Sequence, residues 1–267
     1  MNNNLIYVYC LTNSPPDMDV IEGFNTLVSL KIDDFHVIIK GVNDLEFSEV
    51  NFKAKLSDIE WLESNAREHV VVINKVMDKS SVIPFKFGTI FHSEERLRQF
   101  ISDYSISLSE NFNYIDGKEE WAVKVFCDRL VLSEKIDDLS PEAAELEKQI
   151  MASSPGKAFL LKRKKTELIE NEIDRLCKLY GQEYFNGFED LSESTSLNNL
   201  LPKEFTGRED TMILNAVFLI RKEKVGEFVS FVEQLKHTNE KSGFFIDSSG
   251  PWPPFSFISI KEKSDTR

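Results

Sequence analysis

The sequence predicts an α+β protein of two domains, and three observations carry that reading. Short β-branched and aromatic runs alternate with stretches whose apolar residues recur at steps of three and four, the mark of strands interleaved with amphipathic helices. The alternation occurs twice, on either side of the turn pair Asp116-Gly117. A chain of 267 residues that is 41% apolar also has the side chains for two packed cores.

The first domain is expected over residues 1–116. Leu5-Ile6-Tyr7-Val8-Tyr9-Cys10-Leu11 is apolar on both faces and reads as a central strand, ended by Asn13-Ser14-Pro15-Pro16-Asp17. Phe24–Leu30 and Phe35–Val42 read as two further strands joined at Asp33-Asp34. The period then changes. Ser57 and Glu60 have the spacing of a capping box, and Ile59, Leu62, Ala66, Val70, Ile73 and Met77 line one helical face. Val82–Gly88 is a short strand, and Pro84 assigns it to an edge or an irregularity. Ser93 caps a further helix, in which Leu97, Phe100, Ile101, Tyr104, Leu108 and Phe112 form one buried stripe.

The second domain is expected over 117–267. Trp121–Cys127 is a strand; Ser140 and Pro141 open a helix that Ser153-Ser154-Pro155-Gly156 breaks. A longer helix follows, with Ile169, Ile173, Leu176 and Tyr180 in step, and the polar stretch 191–201 is a loop or weak edge strand. Thr211–Ile220 is the strongest strand, Val225–Leu235 an amphipathic helix, and Phe244–Ser248 the final strand. Residues 261–267 are charged and expected to fray. The order β, α, α, β, β, α, β resembles a ferredoxin-like split βαβ with one extra helix.

Composition narrows the function. A net charge of −13 repels phosphate backbones and anionic headgroups, so neither nucleic acid nor membrane is an expected partner. Cys10, Cys127 and Cys177 are odd in number and far apart, which fits a reducing cytoplasm better than a disulfide framework. No apolar run is long enough to cross a bilayer. The aromatic supply is 21 phenylalanines against 6 tyrosines and 3 tryptophans, which favours broad apolar packing, inside or at an interface.

Reactive motifs do not emerge. His36, His69, His92 and His237 share no ligand spacing with one another or with the cysteines, and there is no phosphate loop or nucleophile elbow. No catalytic residue, metal or cofactor is expected. Acidic pairs such as Glu94-Glu95, Glu119-Glu120 and Asp137-Asp138 read as solvated faces and first helical turns. His69, beside an apolar helix face, reads as a satisfied packing residue. Lys162-Arg163-Lys164-Lys165 reads as an exposed turn paired with Glu167, Glu170 and Glu172, its alternative being a grip on an acidic partner.

Gly250-Pro251-Trp252-Pro253-Pro254-Phe255-Ser256-Phe257 is the most distinctive stretch. Its prolines lack donors and fix φ, so it is a stiff extended strap with aromatic side chains at set positions. Such a strap either closes the protein's own core or offers an anchor to a partner.

Two stretches carry a family resemblance. Val82-Ile83-Pro84-Phe85-Lys86-Phe87-Gly88-Thr89-Ile90-Phe91 resembles the V-L-P-L-R-F-G-T-V-F block of the gas vesicle accessory proteins F and L, and Gly250–Phe257 is similar to their G-P-W-P-P-Y-S-F signature. Leu5–Tyr9, Trp121–Val125 and Ser154–Leu160 resemble further family segments in the right order. Lys86 stands for the usual arginine, and Phe159 and Phe255 for tyrosines. The resemblance implies a non-enzymatic, cytoplasmic protein of the gas vesicle, with two α+β domains of which the second is ferredoxin-like. It implies contact with the small apolar shell protein (GvpA-like) and with other accessory gas vesicle proteins, in vesicle assembly or as a minor structural component. The aromatic residues of the two signatures, Trp252, Phe255, Phe257, Phe85 and Phe87, are the candidate partner-binding residues. Two other classes stand beside this: an RNA binder, since ferredoxin-like sheets with aromatic strands bind RNA, and an enzyme on the same scaffold.

Overall fold

The computed structural model describes residues 5–21, 26–136 and 140–261. They form a mixed α+β structure with two sheets and ten α-helices. The described chain divides into two compact units. One holds the residues up to Glu120 and again from Pro251 onward; the other is Trp121–Gly250. The expected division kept everything after residue 116 together. The difference is the last segment, which returns to the first unit for reasons given below.

In the first unit, β1 (Leu5–Thr12) lies inside a sheet ordered β2 (Leu27–Ile32), β3 (Phe35–Val42), β1, β4 (Val82–Pro84), with β5 (Ile90–Phe91) also on β1. These pairs are all antiparallel. The strand expected from Phe24 begins at Leu27 among the described residues, Phe24 and Asn25 lying outside them. Ile32 pairs with Phe35 across the Asp33-Asp34 turn, where Asp33 takes a φ of 51°.

As expected of a strand apolar on both sides, β1 is buried on both faces. Tyr7 and Tyr9 join a core with Val72, Ile73 and Val76 of α3 (Ile59–Met77). Val8 and Leu11 join another with Leu97 and Ile101 of α4 (Glu94–Asp103) and Leu108 and Phe112 of α5 (Ser105–Ile115). A register shift between Val8 and Cys10 lets Tyr9 and Cys10 both serve the α3 core.

Three local expectations shift. The N-cap of α3 is Asp58, whose carboxylate accepts from the Trp61 amide, rather than Ser57. Two short helices, α1 (Asp44–Phe47) and α2 (Glu49–Lys55), precede it. The stripe from Leu97 to Phe112 is not one helix: Tyr104, at φ −103° and ψ 9°, interrupts it, and its ring packs 4.7 Å from that of Phe100.

The second unit is built on a sheet ordered β7 (Ser194–Leu197), β8 (Thr211–Arg221), β6 (Lys118–Cys127), β9 (Phe244–Trp252). The polar 191–201 stretch does supply an edge strand, β7. Between β6 and β7 lie α6 (Arg129–Glu134), α7 (Pro141–Met151) and α8 (Pro155–Glu189). Ser140 caps α7 as expected, and its oxygen accepts from the Ala143 amide. The short helix α9 (Lys203–Thr206) precedes β8, and α10 (Val225–Asn239) follows it. Ile173, Leu176, Tyr184 and Phe188 of α8 pack with Phe218 of β8 and with Phe228 and Val232 of α10.

Gly181 lets α8 approach β8: a Cβ there would stand 2.9 Å from the Ile213 carbonyl oxygen. Strand β9 runs further than Ser248, through Pro251 to Trp252. It is an edge strand, where a missing amide is tolerated.

Candidate functional site

The first signature is wired to β1 and α3 by a polar bridge inside an aromatic cluster. After β4 the chain turns through Phe85-Lys86-Phe87-Gly88. The Phe85 amide donates to the Tyr9 carbonyl at 2.9 Å, and the Val8 amide to the Thr89 carbonyl at 3.0 Å. His69 Nε2 lies 2.9 Å from the Phe85 carbonyl oxygen, and its Nδ1 lies 2.9 Å from the Tyr7 hydroxyl. That hydroxyl accepts the Gly88 amide at 3.2 Å. The pattern closes with a neutral imidazole: Nε2–H donates to Phe85, and Nδ1 accepts from Tyr7. Burial holds His69 below its ordinary 6.5, against the Phe85 carbonyl and Glu68, which favour the cation. His69 is thus a satisfied packing residue, as its place on the helix suggests.

Gly88 is required twice over. Its φ is +80°, and a Cβ would stand 2.4 Å from the Phe52 ring.

Phe85 and Phe87 point to opposite sides of the sheet. Phe87 packs among Tyr7, His69 and Phe52, with centroids 6.3, 5.8 and 5.9 Å away. Phe85 is buried on the α4–α5 side, its ring 5.9 Å from Phe100.

The second signature arrives on that same side. Pro253 and Pro254 are buried, and the chain beyond them is held by three polar side chains of the first unit. Glu120 is only 5% exposed and accepts both the amide and the hydroxyl of Ser256, at 3.0 and 2.8 Å. Asn111 makes a two-way clamp on Ser259: its Oδ1 accepts the Ser259 amide and its Nδ2 donates to the Ser259 carbonyl, both at 3.0 Å. Ser107, one turn earlier on α5, donates to the Ser259 carbonyl at 3.3 Å and accepts the Lys261 amide at 3.1 Å. Burial raises the Glu120 carboxyl above its ordinary 4.5, against the two Ser256 hydrogen bonds. Glu120 is therefore not the solvated carboxylate its pairing with Glu119 suggests; Ser256 gives a buried acid the donors it needs.

The product is an apolar groove of about 430 Å³. It is lined by Pro84, Phe85, Phe91, Phe100 and Tyr104 and by Phe255, Ile258 and Ile260 of the returning segment. Lys86 and Thr89 stand at it as well. Of the five candidate residues, the groove brings together Phe85 and Phe255. Phe87 lies on the other face of the sheet, Phe257 is half-buried outside the groove lining, and Trp252 closes β9 at 40% exposure. Phe91 belongs to the quoted first signature, and Phe100 and Tyr104 lie in the predicted stripe. Ile258 and Ile260 were signalled only by an apolar alternation just past the second signature.

Among the described residues no group of three or more His, Cys, Asp or Glu side chains is placed to hold a metal ion. No helix among them is long and apolar enough to cross a membrane.

The comparisons with known proteins agree with one another. The family model for the gas vesicle synthesis protein GvpL/GvpF matches residues 5–259. Gas vesicle protein L of Streptomyces sp. (strain CB03234) is 23% identical over 270 aligned positions, covering 98% of this chain and 95% of the relative. Gas vesicle protein F1 of Halobacterium salinarum is 25% identical over 251, covering 90% and 94%. The crystal structure of GvpF from Anabaena sp. PCC7120 superposes with a TM-score of 0.70 at 20% identity, over 97% of this chain and 100% of that one. GvpF from Microcystis aeruginosa gives 0.66 at 20% identity, over 96% and 99%. The match of the family model over nearly the whole chain, with relatives and folds of matching length, places this protein in the GvpL/GvpF family of gas vesicle proteins.

Proposed function

We propose that this chain is a non-enzymatic accessory or minor structural protein of the gas vesicle, acting in the cytoplasm, that binds the small apolar shell protein through the groove beside Phe255. One observation carries the reading. The family-like stretch at 82–91 and the segment 255–260, which begins inside the family-like stretch at 250–257, lie far apart in sequence yet line one apolar groove. A shell subunit must present an apolar face before assembly, and that face aggregates unless covered. A rigid wall of rings suits it, because aromatic side chains contribute contact area with little loss of side-chain freedom. The strong negative charge keeps the carrier itself dispersed. Three buried, free cysteines fit a reducing compartment.

We also assign the second unit to a modified ferredoxin-like arrangement. The strand order β7-β8-β6-β9 supports it, with α8 preceding β7, α10 joining β8 to β9, and α6 and α7 added between β6 and β7.

Co-purification of tagged protein with a co-expressed shell protein tests the binding. We expect Phe255→Asp to reduce capture at least about tenfold, because a charge in an apolar contact is desolvated without a partner. At 40% exposure Phe255 lies outside the closed core, and an unchanged melting temperature verifies that the variant is folded. Undiminished capture would remove the groove from the account.

A further inference from the structure

Helices α7 and α8 form a hairpin joined by only three residues, so they are antiparallel neighbours, and Lys165 meets Glu147 across it at 2.8 Å. Its tip is apolar and basic together. Met151, Phe159 and Leu160 are 78%, 72% and 67% exposed. Lys157, Lys162, Arg163 and Lys164 flank them, and among the described residues none of the four has an ion-pair partner. The pairing expected from sequence, with Glu167, Glu170 and Glu172, does not form: Glu172 pairs with Arg175, and only Lys165 of the block has an ion pair, with Glu147. A surface of this kind selects an occupant that is acidic and apolar at once.

The chain presents such a surface itself. Helices α1 and α2 and the start of α3 expose Leu45, Val50 and Ile59 at 83%, 78% and 78%. Asp44, Glu46 and Glu60 stand among them, without an ion-pair partner among the described residues. Beneath, the rings of Phe47, Phe52 and Trp61 pack at 5.7–6.2 Å and fix the outer face. Three large apolar side chains with unpaired bases thus find a counterpart of three with unpaired acids.

We propose that the α7–α8 tip of one copy docks on the α1–α3 face of a second copy. A polyanion would meet the same tip, but the field of a −13 chain opposes its approach. The second copy instead places its local acids against local bases. The two surfaces differ, so each contact is heterologous, tip on face.

Sedimentation velocity of the full chain, from low to high micromolar concentration at low and high salt, tests this. We expect the sedimentation coefficient to rise with concentration at low salt and less so at high salt. K162E/R163E/K164E weakens the association at least about tenfold, as does D44K/E46K/E60K. Mixing the two variants restores it, because each offers one charge-reversed surface to the other. Circular dichroism verifies that both variants are folded. A wild type that stays monomeric throughout, reversal variants that associate like the wild type, or a folded mixture that fails to recover would each overturn the proposal. So would a monomeric wild type retained on phosphatidylserine vesicles, which would assign the tip to a lipid surface.

Discussion

His69 shows how one buried side chain can hold a motif in place. It bridges Tyr7 and the Phe85 carbonyl, so removing it leaves two polar groups unsatisfied inside an aromatic cluster. At about 1–3 kcal/mol for each orphaned group, His69→Leu should cost roughly 2–4 kcal/mol and lower the melting temperature by about 5–10 °C. Its titration has a definite sign. The folded-state value lies below the unfolded one, so the unfolded chain takes up the proton first. The stability His69 contributes is complete above its ordinary 6.5 and is lost as pH falls through the folded value. Thermal scans across acid pH should show a loss in the wild type that is smaller in His69→Leu. Identical pH profiles for the two proteins would contradict the neutral bridge. Glu120 has the opposite sign: with its folded value raised, its contribution is greatest below its ordinary 4.5 and declines as pH rises.

At the scale of elements, the segment 253–261 is held by hydrogen bonds as well as by apolar packing. Ser107, Asn111 and Glu120 make six contacts to its backbone and to the Ser256 hydroxyl. Asn111→Ala and Glu120→Ala should therefore speed amide exchange across 256–261 by about tenfold or more while leaving β1 and α3 protected. Glu120→Gln, which retains an acceptor for the Ser256 amide, should stay near the wild type. Exchange unchanged in the alanine variants would mean that apolar contacts alone hold the segment.

This part of the site was not legible in the sequence. A glutamate beside another glutamate, and a serine and asparagine on a helix, look like solvated residues until a chain more than a hundred positions away arrives. What was legible has a local cause. β1 announces burial on both faces by its composition, and α3 and α4 show three-and-four spacing with caps at their starts. Helices α1 and α2 span four and seven residues, too short for a period to register. No proline or glycine marks the break at Tyr104.

At the scale of the whole molecule, two compact units share one chain that leaves the first, builds the second and comes back. The return brings Phe255, Ile258 and Ile260 to Pro84, Phe85 and Phe91, so stretches far apart in sequence line one groove. The most direct test of the account places a photo-crosslinking benzoylphenylalanine at Ile258, inside the groove, and at Val28, 53% exposed on β2, in cells that make the shell protein. Binding in the groove gives a crosslinked band with the shell protein from position 258 and none from position 28. Equal crosslinking from both positions, or from neither while the protein still co-purifies with the shell protein, would contradict it.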